Sequence, residues 1–413
     1  MSLAHLAVGL TAASFGLYVA MMALFARAMT RRGAHVFRQV DRAPRVTIFK
    51  PLAGCDEDLE DNLESFARID YPAFEILFGV ADPSDAAFGV ARRFAARHPR
   101  IRARVVITDP DAAINPKVAQ LIGLERLATG EVYVISDSNV RVKPHYLWSL
   151  AAELADDRVG VVTSVFAGTG ERTLGAALEN LQLCVATAPG LAAMNAVSAR
   201  PFTVGKSMAM RRRDLVRLGG FAPVGNVLAE DHLLGRRFMD AGFVVRTSMD
   251  AVENRNVACS VARTIERHTR WAKLRRSLFP IGFAVEPMLT PIVVASLGVA
   301  VAPSKATVAA LAIVFVAQTA GALFAVRVAR GRPLAWWYAP LEVARSYLSL
   351  LCWLRACVSR RIAWRGHPFA LLSGSVIVPL PSELERSTPR RGRPVLPLLT
   401  ARDVSGWLIM TGR

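Results

Sequence analysis

Apolar stretches of membrane-spanning length constrain this chain more than any motif does. Residues 3–24 carry no charge after His5, and roughly 20 apolar residues make a helix long enough to cross a bilayer. Residues 278–302 and 306–326 reach the same length, with Pro303-Ser304-Lys305 as the hinge between them. Basic side chains flank all three. Six arginines (Arg27, Arg31, Arg32, Arg38, Arg42, Arg45) follow the first, six cations from Arg263 to Arg276 precede the second, and Arg327, Arg330 and Arg332 follow the third. Such flanks mark cytoplasmic ends. A signal peptide would carry its basic region first, so residues 1–27 read as an uncleaved anchor.

A further apolar stretch, residues 334–358, carries Glu342, Arg345 and Arg355, which are expensive at bilayer depth. Basic residues at both of its ends favour a re-entrant or interfacial segment over a span. Residues 278–358 therefore read as two spans plus that segment. The tail, 380–413, is basic and Pro-rich without period and reads as disordered.

The formal charge of +18 points to nucleic acid, anionic lipid or a phosphorylated substrate as partner. Placement of the cations beside apolar segments favours lipid and phosphate, and no zinc-finger spacing or RNP-like aromatic motif supports nucleic acid. Five scattered cysteines fit reduced thiols better than a disulfide framework.

Between anchor and membrane segments, residues 45–276 alternate strands with helices. Strands are expected at 46–52, 75–80, 102–107, 131–135, 159–166 and 243–249, and helices at 56–67, 86–97, 117–128, 174–188 and 231–242. That alternation predicts an α/β fold with a mostly parallel sheet, whose ligands sit beyond the carboxyl ends of the strands. Asp82 and Asp137 fall there. Each is also explained as an Asx turn. Asp231 is explained equally as a helix cap, Arg267 and Arg270 as lipid-facing cations, and Trp271 as an interfacial anchor.

The combination is more specific than its parts. Lys50-Pro51-Leu52 with Gly54 and Asp56, Asn62-Leu63-Glu64-Ser65-Phe66, Asp70-Tyr71-Pro72, Glu75-Ile76-Leu77 and Asn115-Pro116-Lys117 occur in order. Asp137-Ser138 with Arg141-Val142, Ala229-Glu230-Asp231 and Arg270-Trp271-Lys273-Leu274-Arg275 follow. Over about residues 45–290 the chain resembles the ceramide glucosyltransferase family.

The resemblance implies an A-type glycosyltransferase domain, a Rossmann-like mixed sheet with one N-terminal transmembrane helix and C-terminal membrane segments. It implies Asp82 on the donor nucleotide, Asp137 at a Mg2+ or Mn2+ ion and the diphosphate, and Asp231 as the general base. Arg267, Arg270 and Trp271 match the motif that grips the diphosphate and lines the acceptor site, and Lys50 and Lys117 are further donor-phosphate candidates. Two departures stand out. Asn139 replaces the second acid of a strict Asp-x-Asp, and Ala188-Pro189 stands where animal members have His-Pro.

The resulting expectation is an inverting enzyme in a bacterial inner membrane, its catalytic domain cytoplasmic and held on an anionic phospholipid surface. It would move glucose from UDP-glucose to a membrane lipid, foremost ceramide. Bacterial relatives that transfer N-acetylglucosamine to hopanoids give the alternative. A processive polysaccharide synthase lacks the membrane segments for a channel, and a non-catalytic scaffold would not need all the acidic sites.

Overall fold

The structure, a computed structural model, describes residues 2–30, 43–55, 58–333, 336–364 and 367–380. Asp56, the arginines from Arg31 to Arg42 and the tail beyond residue 380 lie outside the described residues.

The apolar helix α1 (Leu3–Thr30) comes first. The chain then alternates through β1 (Val46–Pro51), α2 (Leu59–Ala67), β2 (Phe74–Val80), α3 (Ala86–Arg97), β3 (Arg102–Ile107), α4 (Pro116–Glu125) and β4 (Val132–Ser136). Next are β5 (Val140–Arg141), α5 (Tyr146–Leu154), β6 (Val159–Thr169), α6 (Leu174–Gln182), α7 (Ala188–Val197) and β7 (Ser207–Arg211). Helices α8 (Arg212–Arg217) and α9 (Glu230–Asp240) and strand β8 (Val244–Arg255) complete the domain. Eight strands form one sheet in the order β3-β2-β1-β4-β7-β6-β8-β5.

Strands β3, β2, β1 and β4 are parallel, while β7 runs antiparallel between β4 and β6. Every residue of β1 and β4 is buried, as expected for central strands covered on both faces. The expected mixed α/β sheet is present. Strands β6 and β8 run longer than their apolar cores because they pair with each other across two register shifts.

Local chemistry sets the helix starts that matter. Asn115 accepts from the backbone N–H of Lys117 and Val118, and Pro116 occupies the first turn; both favour initiation there. A helix ending before Pro189 is not what forms. A π-helical turn, Leu183–Thr187, carries α6 directly into α7, with Pro189 in the first turn of α7; the widened turn locally replaces the i→i−4 ladder that a proline interrupts.

The membrane side begins with α10 (Val261–Leu278), capped by Ser260 on the Arg263 N–H. A Cβ on Gly175 would lie 2.3 Å from the Ser260 carbonyl carbon, so only glycine lets α6 and α10 start side by side. Beyond α10 the expected span 278–302 is broken. It consists of α11 (Pro280–Val285), a 3-10 turn and α12 (Pro291–Val301), the halves meeting at 74°. Pro280, Pro287 and Pro291 interrupt the helical ladder.

Helix α13 (Lys305–Arg330) starts on a Ser304 capping box and ends at Gly331, whose φ is +71°. Among the described residues, α1 and α13 are the two helices long and apolar enough to cross a membrane by themselves. They pack through Tyr18 and Phe25 against Ala322 and Ala325, small residues that permit close approach in a bilayer.

Helix α14 (Ala339–Val358) buries two of its charges, Glu342 and Arg345, and leaves the third, Arg355, exposed. Arg345 donates to both Glu342 oxygens at 2.6 and 2.7 Å and to Gln182 Oε1 at 2.6 Å, and Gln318 donates to Glu342 at 2.7 Å. This pairing offsets the desolvation of two buried ions and ties α14 to α6. Residues 359–379, which carry no strong periodicity, form a small antiparallel sheet of β9 (Arg361–Trp364), β10 (His367–Leu371) and β11 (Ile377–Pro379). It reaches back to the loop before α9: the Leu228 N–H donates to Ser375 O at 2.8 Å and Ile377 N–H to Asn226 O at 2.9 Å.

Candidate active site

The carboxyl ends of β1 and β4 place Lys50 and Asp137 side by side. Lys50 is fully buried, donates to the Asp137 carbonyl at 2.6 Å and lies 4.1 Å from the Phe66 ring centroid. Burial pushes its pKa down to about 7 against the pull of Asp137. It braces the end of β4 rather than capping a solvated loop.

Asp137 is held from two directions. Lys117, in the first turn of α4, reaches its Oδ1 at 2.8 Å, and Lys206, just before β7, reaches Oδ2 at 3.1 Å. Burial alone would raise the Asp137 pKa, but these two ammoniums outweigh it and hold the carboxyl well below the usual range. Lys206 also donates to Asn139 Oδ1 at 3.1 Å.

Lys117 continues the network to α9, meeting Glu230 Oε1 at 3.0 Å. Burial disfavours its charge, yet Asp137, Glu230 and Asp231 together raise its pKa. Asp231 is not the helix cap; Ala229 occupies that position. Its Oδ2 accepts the Gly205 N–H at 2.6 Å and its Oδ1 the His232 N–H at 2.7 Å. A Cβ on Gly205 would come 2.8 Å from Lys117 Nζ and 3.1 Å from Asp231 Oδ2, so glycine is what lets the backbone approach. Burial raises the Asp231 pKa, with Lys117 opposing, and Glu230 is raised for the same first reason.

Three carboxylates (Asp137, Glu230, Asp231) and three lysines (Lys50, Lys117, Lys206) thus share one site. Their formal charges cancel, so an entering diphosphate needs additional positive charge. Among the described residues no three His, Cys, Asp or Glu side chains could cage a metal. A single carboxylate nevertheless suits Mg2+ or Mn2+, which takes substrate phosphates and water as its other ligands.

The remaining expected residues are dispersed. Asp82 follows β2, and its exposed carboxylate accepts the Ser84 N–H at 2.7 Å, the Asx-type turn. Arg267 donates to Glu179 Oε1 and Asn256 Oδ1, both at 3.0 Å, and His268 lies 3.0 Å from the other Glu179 oxygen. Burial would raise Glu179, but His268 and Arg267 bring it down to about 2. Arg267 therefore anchors α10 on α6. Arg270 turns the other way, to the Ala363 carbonyl at 3.3 Å. Trp271 packs on the domain core alongside Phe202 and Val204, not at an outer surface.

Sequence reasoning missed Lys206 and Glu230 as site members. It also missed an aromatic group beside Asp231, in which Phe202 stacks on His232 at 5.2 Å and meets Phe279 at 4.4 Å. Burial brings the His232 pKa down to about 4.

A pH dependence follows. If Asp231 is the base, its raised pKa means that the basic form is present only above that value, and kcat/KM should fall with decreasing pH on a limb above the ordinary aspartate range. A measured limb at the value of a solvated aspartate would contradict this environment.

Comparison with known proteins agrees with the sheet. Ceramide glucosyltransferase 1 of Caenorhabditis elegans is 28% identical over 246 residues, 59% of this chain and 53% of the relative. Ceramide glucosyltransferase 3 of the same organism is 26% identical over 255 residues, 62% and 55% of the two chains. The chain thus spans about half the length of the curated relatives it matches. A mannosyltransferase from Pyrobaculum calidifontis, solved in complex with GDP-mannose and Mn2+, shares the fold at a TM-score of 0.51 and 22% identity, over 86% of this chain and 98% of that one. The family model described as glycosyl transferase family 21 matches residues 10–377, and the chain belongs to that family.

Proposed function

We propose that the protein is a membrane-anchored inverting glycosyltransferase that moves glucose from UDP-glucose to the hydroxyl of a membrane lipid, ceramide first, giving a β-glycolipid. The observation that carries this reading is the Asp137–Lys117–Glu230–Asp231 network, which links the carboxyl edge of the sheet to α9.

Asp231 takes the proton of the attacking hydroxyl, its raised pKa making it a better base than a solvated aspartate. Lys117 and Lys206, already aimed at Asp137, turn to the oxygens of the leaving diphosphate. Asp137 would hold Mg2+ or Mn2+, and when bound the ion neutralises that diphosphate. Asp82 would meet the nucleotide, with Arg267, Arg270 and Trp271 on the diphosphate and acceptor side. One displacement with one base inverts an α-linked donor.

The two apolar helices and the arginines at their ends support a multi-pass protein with the catalytic domain on the cytoplasmic face of a bacterial inner membrane, resting on anionic phospholipid. The second reading, N-acetylglucosamine transfer to a hopanoid, draws support from Ala188 in place of the animal histidine. Labelled UDP-glucose and UDP-N-acetylglucosamine, offered in parallel with ceramide and hopanoid, separate the two. Label from glucose in ceramide is expected; label only from N-acetylglucosamine in hopanoid would overturn the donor and acceptor assignments.

A further inference from the structure

A cavity of about 340 Å³ lies between α10, α14 and β9. Arg270, Lys273, Arg355 and Arg361 line it, and Glu266 is the sole acid among its lining residues. Two of the cations are fastened by the small sheet: Arg270 donates to Ala363 O at 3.3 Å and Lys273 to Arg361 O at 2.6 Å. Four like charges converging on one space with a single counterion repel each other, so the arrangement favours an anion. Arginine pairs bind phosphate oxygens through paired N–H donors.

None of the residues of the Asp137 network lines this cavity. Ile362 in its wall is buried, but beside it the last turns of α14 face outward, with Leu354 49% and Val358 85% exposed. Cations beside exposed aliphatic side chains at the end of a membrane-side helix match the depth of lipid headgroups.

We infer that this cavity binds the phosphate of an anionic phospholipid headgroup, a discrete lipid site that shares Arg270 with the proposed diphosphate side and is otherwise separate from the Asp137 network. The inference rests on the membrane orientation proposed above. A lipid seated there would fix the height of α10, and with it the site, above the bilayer.

The test is native mass spectrometry of the full chain in detergent with an equimolar mixture of phosphatidylglycerol and phosphatidylcholine. Wild type should retain phosphatidylglycerol over phosphatidylcholine by roughly tenfold, the scale of two or more cations acting on one lipid. The Arg355→Gln/Arg361→Gln variant should lose that preference, the Arg355→Lys/Arg361→Lys variant should keep most of it, and UDP affinity should be the same in all three. Unchanged retention in the glutamine variant would overturn the inference. So would a fall in UDP affinity in that variant, which would assign these cations to the donor diphosphate. Retention is read without turnover, so failure of glucosyl transfer would leave this result standing.

Discussion

Asp231→Asn should lower kcat by about 10²- to 10⁴-fold, the contribution of a positioned general base, while the affinity for UDP stays close to wild type. The asparagine amide can accept from only one of the two N–H groups, Gly205 and His232, that now point at the carboxylate, at a cost of roughly 1 kcal/mol in stability. Thermal unfolding of the variant should therefore shift only slightly. Glu230 gives the internal control. It pairs with Lys117 and Asn115 and positions the site, so Glu230→Gln should keep far more activity. Equal losses in both variants, or turnover retained in Asp231→Asn, would remove Asp231 as base.

Asp137→Ala should damage both folding and transfer. It leaves Lys117 and Lys206, each 16% exposed at the side chain, without their shared counterion. Breaking a buried pair from one side costs about 3 kcal/mol or more, visible as a lower denaturation midpoint. Adding Lys206→Met removes one orphaned charge, so the double variant should regain part of that stability but none of the transfer. Recovery of both together would mean Asp137 acts only by holding the lysines.

The ends of parallel strands were readable because apolar runs followed by Asp or Lys mark them locally. Asp137, Asp231 and Lys117 were named from sequence, and the structure joins them in one network. Lys206 was hidden by topology. It reaches Asp137 because β7 inserts antiparallel beside β4, with Ser136 opposite Ser207, a pairing between segments some 70 residues apart that no periodicity announces. Arg267 and Arg270 were read together, as lipid-facing cations or as one motif, but Glu179 on α6 draws one and the β9 carbonyl draws the other. In residues 278–302 apolar length outweighed three prolines in the reading, and in the molecule the prolines decide. The sheet of β9, β10 and β11 escaped because strands of three to five residues are too short to show alternation.

The most direct measurement of the central claim is the anomeric configuration of the glycolipid made by the purified full chain from UDP-glucose in a lipid bilayer, read from the proton NMR of the product. A β-linked sugar on the lipid, absent when Asp231→Asn replaces wild type, is the predicted result. An α-linked product, or donor hydrolysis with no sugar on any lipid, would contradict a single-base displacement at Asp231.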